Sequence, residues 1–261
     1  MADELRNGFL DLRINDCIKG FRENHKDEYE LIVYINDFFM KLEQEVVKCG
    51  KLERDTNILA ALTQLHKVYE SAILLFERGL EEPGNILIRT MLDLIYKIVE
   101  YIRNENAAAD FMLYDKFQLR KVLIGMKKNA VAFGAAKIDI EKEIANLNRE
   151  LRGKRIPNIT SAKLAIKNKL GYTYPMYGLQ SSYTHYSTAV IHSIVKRTNE
   201  GVYINGDLQL EGFKNSVGVV VSIVEVVFPI ILDEYIKSEE LKEEYKCILK
   251  KTNKIYTITN D

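Results

Sequence analysis

Ser181, His185 and His192 fall inside the stretch Tyr174 to Val195, YPMYGLQSSYTHYSTAVIHSIV. At 100° per residue they share one narrow stripe of a single expected helix with Thr188, while Leu179, Tyr183, Tyr186, Val190 and Ile194 fall on the opposite side. One face suits a core, and the other carries small hydrogen-bonding side chains that let a neighbouring helix approach. A serine one turn before a histidine suggests a nucleophile and its base. Such a serine also needs an orienting acid and an oxyanion hole, and no G-x-S-x-G elbow occurs. His185 is better suited to general acid/base work, because its ordinary pKa of about 6.5 lets it exchange protons near neutrality. The plainer reading is a satisfied structural histidine. His185 and His192 stand about 10.5 Å apart along a helix at about 1.5 Å per residue, too far to share one ion. With no H-E-x-x-H or E-x-x-H motif, neither a metal nor a cofactor is expected.

A second group lies on the helix expected from Pro83 to Arg103, where Arg89 and Asp93 are spaced i,i+4 and Tyr96, Glu100 and Arg103 continue their stripe. Read plainly, this is a solvated face held by intrahelical pairs worth about 0.2–0.5 kcal/mol each. Glu225 is the lone carboxylate in the apolar run Val217 to Leu232. A charge there is costly unless paired or protonated, so a cationic partner is expected, Arg89 or His185 being the candidates. The alternative is a Glu at the polar edge of a partly exposed helix. Finally, Arg152, Lys154, Arg155, Lys163, Lys167 and Lys169 make Arg152 to Tyr174 the most cationic part of the chain. Interleaved with Tyr172 and Tyr174, they form a candidate phosphate-contacting patch for RNA or a nucleotide, unless they are simply a solvated charge run.

The elements that must position these residues are helices. Glu28 to Cys49 places Leu31, Tyr34, Ile35, Phe38, Leu42 and Val46 at helical spacing before Gly50, and Asp55 to Arg78 repeats the pattern before Gly79. Pro83 suits a first helical turn. Asn106 to Gly134 reads as helix with a break at Gly125, Ile138 to Leu151 as a charged helix packing lightly, and a short helix starts near Thr160. Val217 to Leu232 reads as a buried core helix displaced at Pro229, and Glu239 to Lys250 as a last solvent-facing helix. Asn205-Gly206 between alternating apolar residues signals a small β-hairpin or turn near 202–210. The expected fold is therefore all-α, a bundle of about 8–10 helices. It forms a single helical domain over 1–261, with a motif-bearing core at about 55–236 and N-terminal helices 1–50 packed on it.

Composition narrows the function classes. Apolar residues at 47% and charged ones at 28% describe a folded chain, and 37 basic against 37 acidic residues leave no overall bias toward nucleic acid or membrane. Cys17, Cys49 and Cys247 are scattered, so reduced, mostly buried thiols are expected rather than a disulfide framework or zinc ribbon. The charged N-terminus lacks the apolar run of a secretory signal, and the 16 residues from Val217 to Leu232 fall short of the roughly 20 needed to cross a bilayer. A cytoplasmic protein with no membrane association is expected.

Two separated pieces carry a resemblance. LLFERGLEEPGNILIRTMLDLIYKI, with Arg89-x-x-x-Asp93, and the later Tyr174-x-x-Tyr177 and SSYTHYS, with Ser181-x-x-x-His185, together resemble a bacterial family of helical proteins of unknown function. In that family an Arg-x-x-x-Glu helix precedes a Tyr-rich helix ending in Ser-x-x-x-His; here Asp93 takes the place of the Glu. The family is distantly similar to the HEPN superfamily and abortive-infection proteins, helical bundles of toxin and phage-defence systems, many of them metal-independent ribonucleases. The resemblance implies that Arg89, Asp93, Ser181 and His185 converge between two helices; Tyr177, His192 and Glu225 are the candidate supporting residues. It also implies a ribonuclease that acts without metal, and a homodimer. A helical sensor or interaction protein with a structural polar cluster, and a binder of a nucleotide-like ligand, are the alternatives.

Overall fold

A computed structural model describes residues 14–49, 53–129, 137–184, 195–198, 201–204 and 212–256. The chain is an all-α bundle. Its helices are α1 (Ile14–Asn24), α2 (Lys26–Cys49), α3 (Glu53–Glu77), α4 (Glu81–Arg103), α5 (Ala107–Lys128), α6 (Lys137–Leu151), α7 (Ser161–Lys167), α8 (Tyr174–Thr184), α9 (Phe213–Ile230) and α10 (Glu239–Tyr256). A 3-10 turn, Gly171–Thr173, leads into α8, and two short strands, β1 (Val195–Thr198) and β2 (Gly201–Ile204), pair antiparallel.

The core is shared by α2, α3, α4, α9 and α10, whose fully buried side chains include Phe38, Phe39, Leu62, Tyr69, Ile95, Val220 and Phe228. α3 ends where the sequence places Gly79: its φ of 66° is left-handed, Gly79 N–H bonds to Phe76 O at 2.9 Å, and Leu80 N–H reaches back to Leu75 O at 2.9 Å. The reversal lays α4 along α3, close enough at Gly84 that a Cβ there would run into the Phe76 ring. α4 begins at Glu81, two residues before Pro83, which still sits in the first turn, where a missing N–H goes unused.

α9 is a core helix, with Val217, Val220, Val221, Val224, Val227 and Phe228 buried against α2, α3, α4 and α10. Pro229 cannot bond to the carbonyl of Glu225 four residues earlier, and Tyr245 Oη of α10 supplies the missing donor at 3.2 Å. Beyond the proline the helix widens into π-type turns over Ile231–Ile236 and stops at Lys237, a left-handed residue with φ of 57°. The continuous helix Phe213–Ile236 has 24 residues, longer than the 16-residue apolar run suggests. By length and composition it could cross a membrane, and 56% of its most apolar window is buried in the bundle.

Several expectations need correction. α5 runs through Gly125 without a break, since a single glycine weakens a helix by only about 1 kcal/mol and does not end it. α10 is two-faced rather than solvent-facing, with Leu241, Ile248 and Thr252 buried. Cys49 and Cys247 are exposed, each on the outer face of its helix, and the Cys17 side chain lies outside the described residues. The helix expected to reach Val195 is described only to Thr184, and Val195 opens β1. The hairpin pairs Gly201–Ile204 with the segment before it, Val195 opposite Ile204. Asn205-Gly206 and the rest of 205–210 lie outside the described residues. The Val-Tyr-Ile run of β2 has the β-branched and aromatic composition of a strand, so the extended segment was legible while its partner was not.

Candidate functional site

The stripe Arg89, Asp93, Tyr96, Glu100 and Arg103 of α4 does not face water throughout. α7, the 3-10 turn and α8 lie across it, leaving Tyr96 at 0% and Glu100 at 4% exposure. The covering piece forms for local reasons. Thr160 caps α7 by accepting from Lys163 N–H at 3.3 Å, and Leu164 and Ala165 bury its inner face. α7 closes with Lys169 in the left-handed region, φ 59°, while Leu170 N–H bonds to Ala165 O at 2.7 Å.

At the upper end, Arg89 Nη2 donates to Tyr177 Oη at 3.0 Å and Nη1 to Thr184 Oγ1 at 3.5 Å. The guanidinium carbon lies 5.2 Å from the centre of the Tyr177 ring, on which Tyr174 stacks at 5.4 Å and 13°. Ser161 Oγ donates to Asp93 Oδ1 and stands 3.3 Å from Tyr177 Oη. A serine hydroxyl has one proton, and with that proton on the carboxylate the phenol must be the donor in the second contact. The result is a relay, Arg89 to Tyr177 to Ser161 to Asp93, in which two hydroxyls join an arginine and an aspartate that form no ion pair with each other. Arg89 Nε and Gln180 Oε1 are buried and unpartnered among the described residues, Gln180 being 5% exposed. Arg89 thus carries a half-buried positive charge held by neutral groups.

The lower end is closed. Tyr96 Oη donates to Thr173 Oγ1 at 2.8 Å, and Thr173 in turn to Leu170 O at 2.7 Å. Burial pushes the Tyr96 phenol up, and the nearby Asp93 charge adds to it. Glu100 accepts from Lys167 Nζ at 2.5 Å, Asn104 Nδ2 at 2.6 Å and Asn168 Nδ2 at 2.9 Å. Burial alone would raise its carboxyl, but these bonds outweigh it and hold the group below the usual carboxylate range. Arg103 bonds to Glu234 and to Asn168 O, fastening the C-terminal ends of α4 and α7 to the π-type turns.

Arg89, Asp93 and Tyr177 therefore meet in one network. Ser181 is half-buried on α8 and takes no part in it; Ser161, not anticipated from sequence, occupies the serine's place. Its only signal was the Thr160-Ser161 start of a short helix. His185 and His192 lie outside the described residues. Glu225 has no cationic partner among the described residues. Its Oε1 is buried and unpartnered, and burial pushes the carboxyl up against a smaller opposing effect of Thr252 on α10, the helix it faces instead of Arg89. Arg152, Lys154, Arg155 and Lys163 are exposed; Lys154 lines a cavity with Glu105 and Met112 at the start of α5, and Lys163 one with Glu100 and Phe111, toward the end of the stripe away from Arg89, whereas Lys167 is tied to Glu100. Among the described residues, no three His, Cys, Asp or Glu side chains gather as metal ligands.

No curated protein and no solved structure matches the chain. Residues 56–202, more than half of the sequence and the segment that carries α3, α4, α7 and α8, match DUF5677, a family of unknown function, and the chain belongs to that family.

Proposed function

We propose that the Arg89 cluster is the phosphate-handling centre of a HEPN-like, metal-independent ribonuclease, a toxin-type effector of a bacterial defence system that works in the cytoplasm as a homodimer without membrane association. The observation that carries the reading is Arg89 itself. A half-buried guanidinium held by two neutral hydroxyls and a ring keeps its charge available for an anion, and the exposed Arg152, Lys154, Arg155 and Lys163 would draw RNA to the chain. A serine-hydroxyl relay to Asp93 fixes its direction.

In this mechanism the RNA 2′-oxygen attacks the adjacent phosphorus as its proton passes to His185. Arg89 stabilises the charge on the pentacoordinate phosphorus, and the 5′-oxygen leaves with a proton from water, to which His185 returns the one it took. The products are a 2′,3′-cyclic phosphate and a 5′-hydroxyl. The test is cleavage of single-stranded RNA by purified protein, with loss of total RNA in expressing bacteria as the cellular counterpart. Arg89→Ala and His185→Ala should each slow cleavage about 100-fold or more at unchanged thermal midpoint. Undiminished cleavage by His185→Ala would refute the mechanism.

The second reading is a non-catalytic sensor or partner protein, favoured by the lower end of the stripe, where Tyr96 and Glu100 are sealed and fully bonded as a structural network is. Absence of cleavage together with tight binding of a nucleotide would instead favour a ligand-binding protein.

A further inference from the structure

We propose that Tyr174 is a stacking platform for one nucleobase of a single-stranded RNA whose adjoining phosphate sits on Arg89. The proposal rests on the phosphate-handling reading of Arg89 and adds the groups that hold the base. Tyr174 opens α8 and is 38% exposed, although one ring face is covered by the nearly parallel Tyr177. The part of the ring that Tyr177 leaves uncovered is the candidate stacking surface. Tyr177 is in turn the residue that Arg89 grips, so one ring joins the guanidinium to the platform.

Three further features fit a nucleotide rather than a bare anion. Gln180 Oε1, an acceptor on the same face of α8 as Tyr177 and Thr184, is buried without a partner among the described residues, as is the Arg89 Nε donor. Exposed Arg155 and Lys163 lie on the segment leading into and along α7, whose Ser161 touches the same Tyr177. Tyr177 cannot swing away without breaking its bonds to Arg89 and Ser161, so the ring beneath Tyr174 is fixed. A base that stacks here needs no particular hydrogen-bond pattern, which makes the expected ligand unpaired RNA of relaxed sequence.

Fluorescence anisotropy with a labelled 2′-O-methyl oligoadenylate of about eight nucleotides tests this on the full chain, since that strand cannot be cleaved through its 2′-oxygen. An abasic strand of the same backbone is the comparison. Tyr174→Ala should weaken binding of the oligoadenylate about tenfold, Tyr174→Phe should stay within about twofold of wild type, and the abasic strand should bind wild type and Tyr174→Ala alike. Matching thermal midpoints for wild type and Tyr174→Phe show that the fold is intact. If Tyr174→Ala holds the oligoadenylate as wild type does, or loses the abasic strand equally, the platform is refuted. Should Arg89→Ala weaken both strands in that case, the phosphate reading survives without it; if wild type binds neither strand, both fall.

Discussion

Glu225 shows how a single side chain can carry a cost that its helix tolerates. Its carboxyl sits on a core helix with Oε1 buried and unpartnered among the described residues, and burial raises its pKa above the usual value of about 4.3. A raised carboxyl pKa means that the folded state holds a proton that the unfolded chain has released. The penalty is therefore absent below the unfolded value, grows as pH rises through the interval up to the folded value, and is full above it. Glu225→Gln keeps the shape and removes the titration. It should equal wild type in thermal midpoint near pH 4 and exceed it at pH 7–8 by about 1 kcal/mol, or roughly 2–4 °C. A variant that melts lower than wild type at pH 8 would mean that the ionised carboxylate has a partner. The backbone of the same residue is better served, because Tyr245 answers the carbonyl that Pro229 leaves open. Residue-level chemistry was partly legible in the sequence. The isolation of Glu225 was visible, whereas its neighbour across the core was not, since Thr252 and Tyr245 lie far along the chain.

At the scale of elements, the site depends on α7, seven residues that no hydrophobic period announces. Long helices declare themselves through apolar spacing and glycine stops, which is why α2, α3, α4 and α9 could be placed from sequence alone. A polar stripe at i,i+4 spacing looks the same whether water or another helix covers it, and so the burial of Tyr96 and Glu100 could not be read from α4 itself. Glu100 is the fastening: three donors, two of them from the end of α7 and the residue after it, converge on its carboxylate. Removing the charge with Glu100→Gln leaves Lys167 without its carboxylate and turns one acceptor into a donor facing donors. The expected loss is about 2 kcal/mol of stability at pH 7, accompanied by faster proteolysis within 152–170. Because the wild-type carboxyl is held low, its contribution is full above the unfolded pKa of about 4.3 and fades as pH falls through its own lower value. The gap between wild type and variant should therefore close on acidification below about pH 4. A gap that stays constant down to pH 3 would assign the effect to shape rather than charge.

For the whole molecule, the distribution of buried side chains divides a cooperative bundle from an arm. α2, α3, α4, α9 and α10 share one apolar cluster, so none can leave without exposing the others. α5 contributes only Ala107 and Phe111 to burial, and the rest of its length packs on α6, which buries Ile140 and Leu147. The pairs Lys116–Glu150 at 2.6 Å and Lys127–Glu141 at 3.1 Å are solvent-exposed and worth at most about 1 kcal/mol each. Met112, Leu119 and Val122 of α5 are exposed apolar residues that this pairing leaves uncovered. The arm should therefore open at a free energy well below that of the bundle. Native-state hydrogen exchange should show amides of α5 beyond Phe111 and of α6 exchanging through local opening, with little dependence on low denaturant, while α4 and α9 exchange only with global unfolding. Equal protection of arm and bundle in dilute protein would contradict that division. Protection of the arm that rises with protein concentration would have a different meaning: the apolar stripe of α5 would then be covered by a second copy, and the homodimer proposed for this chain would have its interface on the arm.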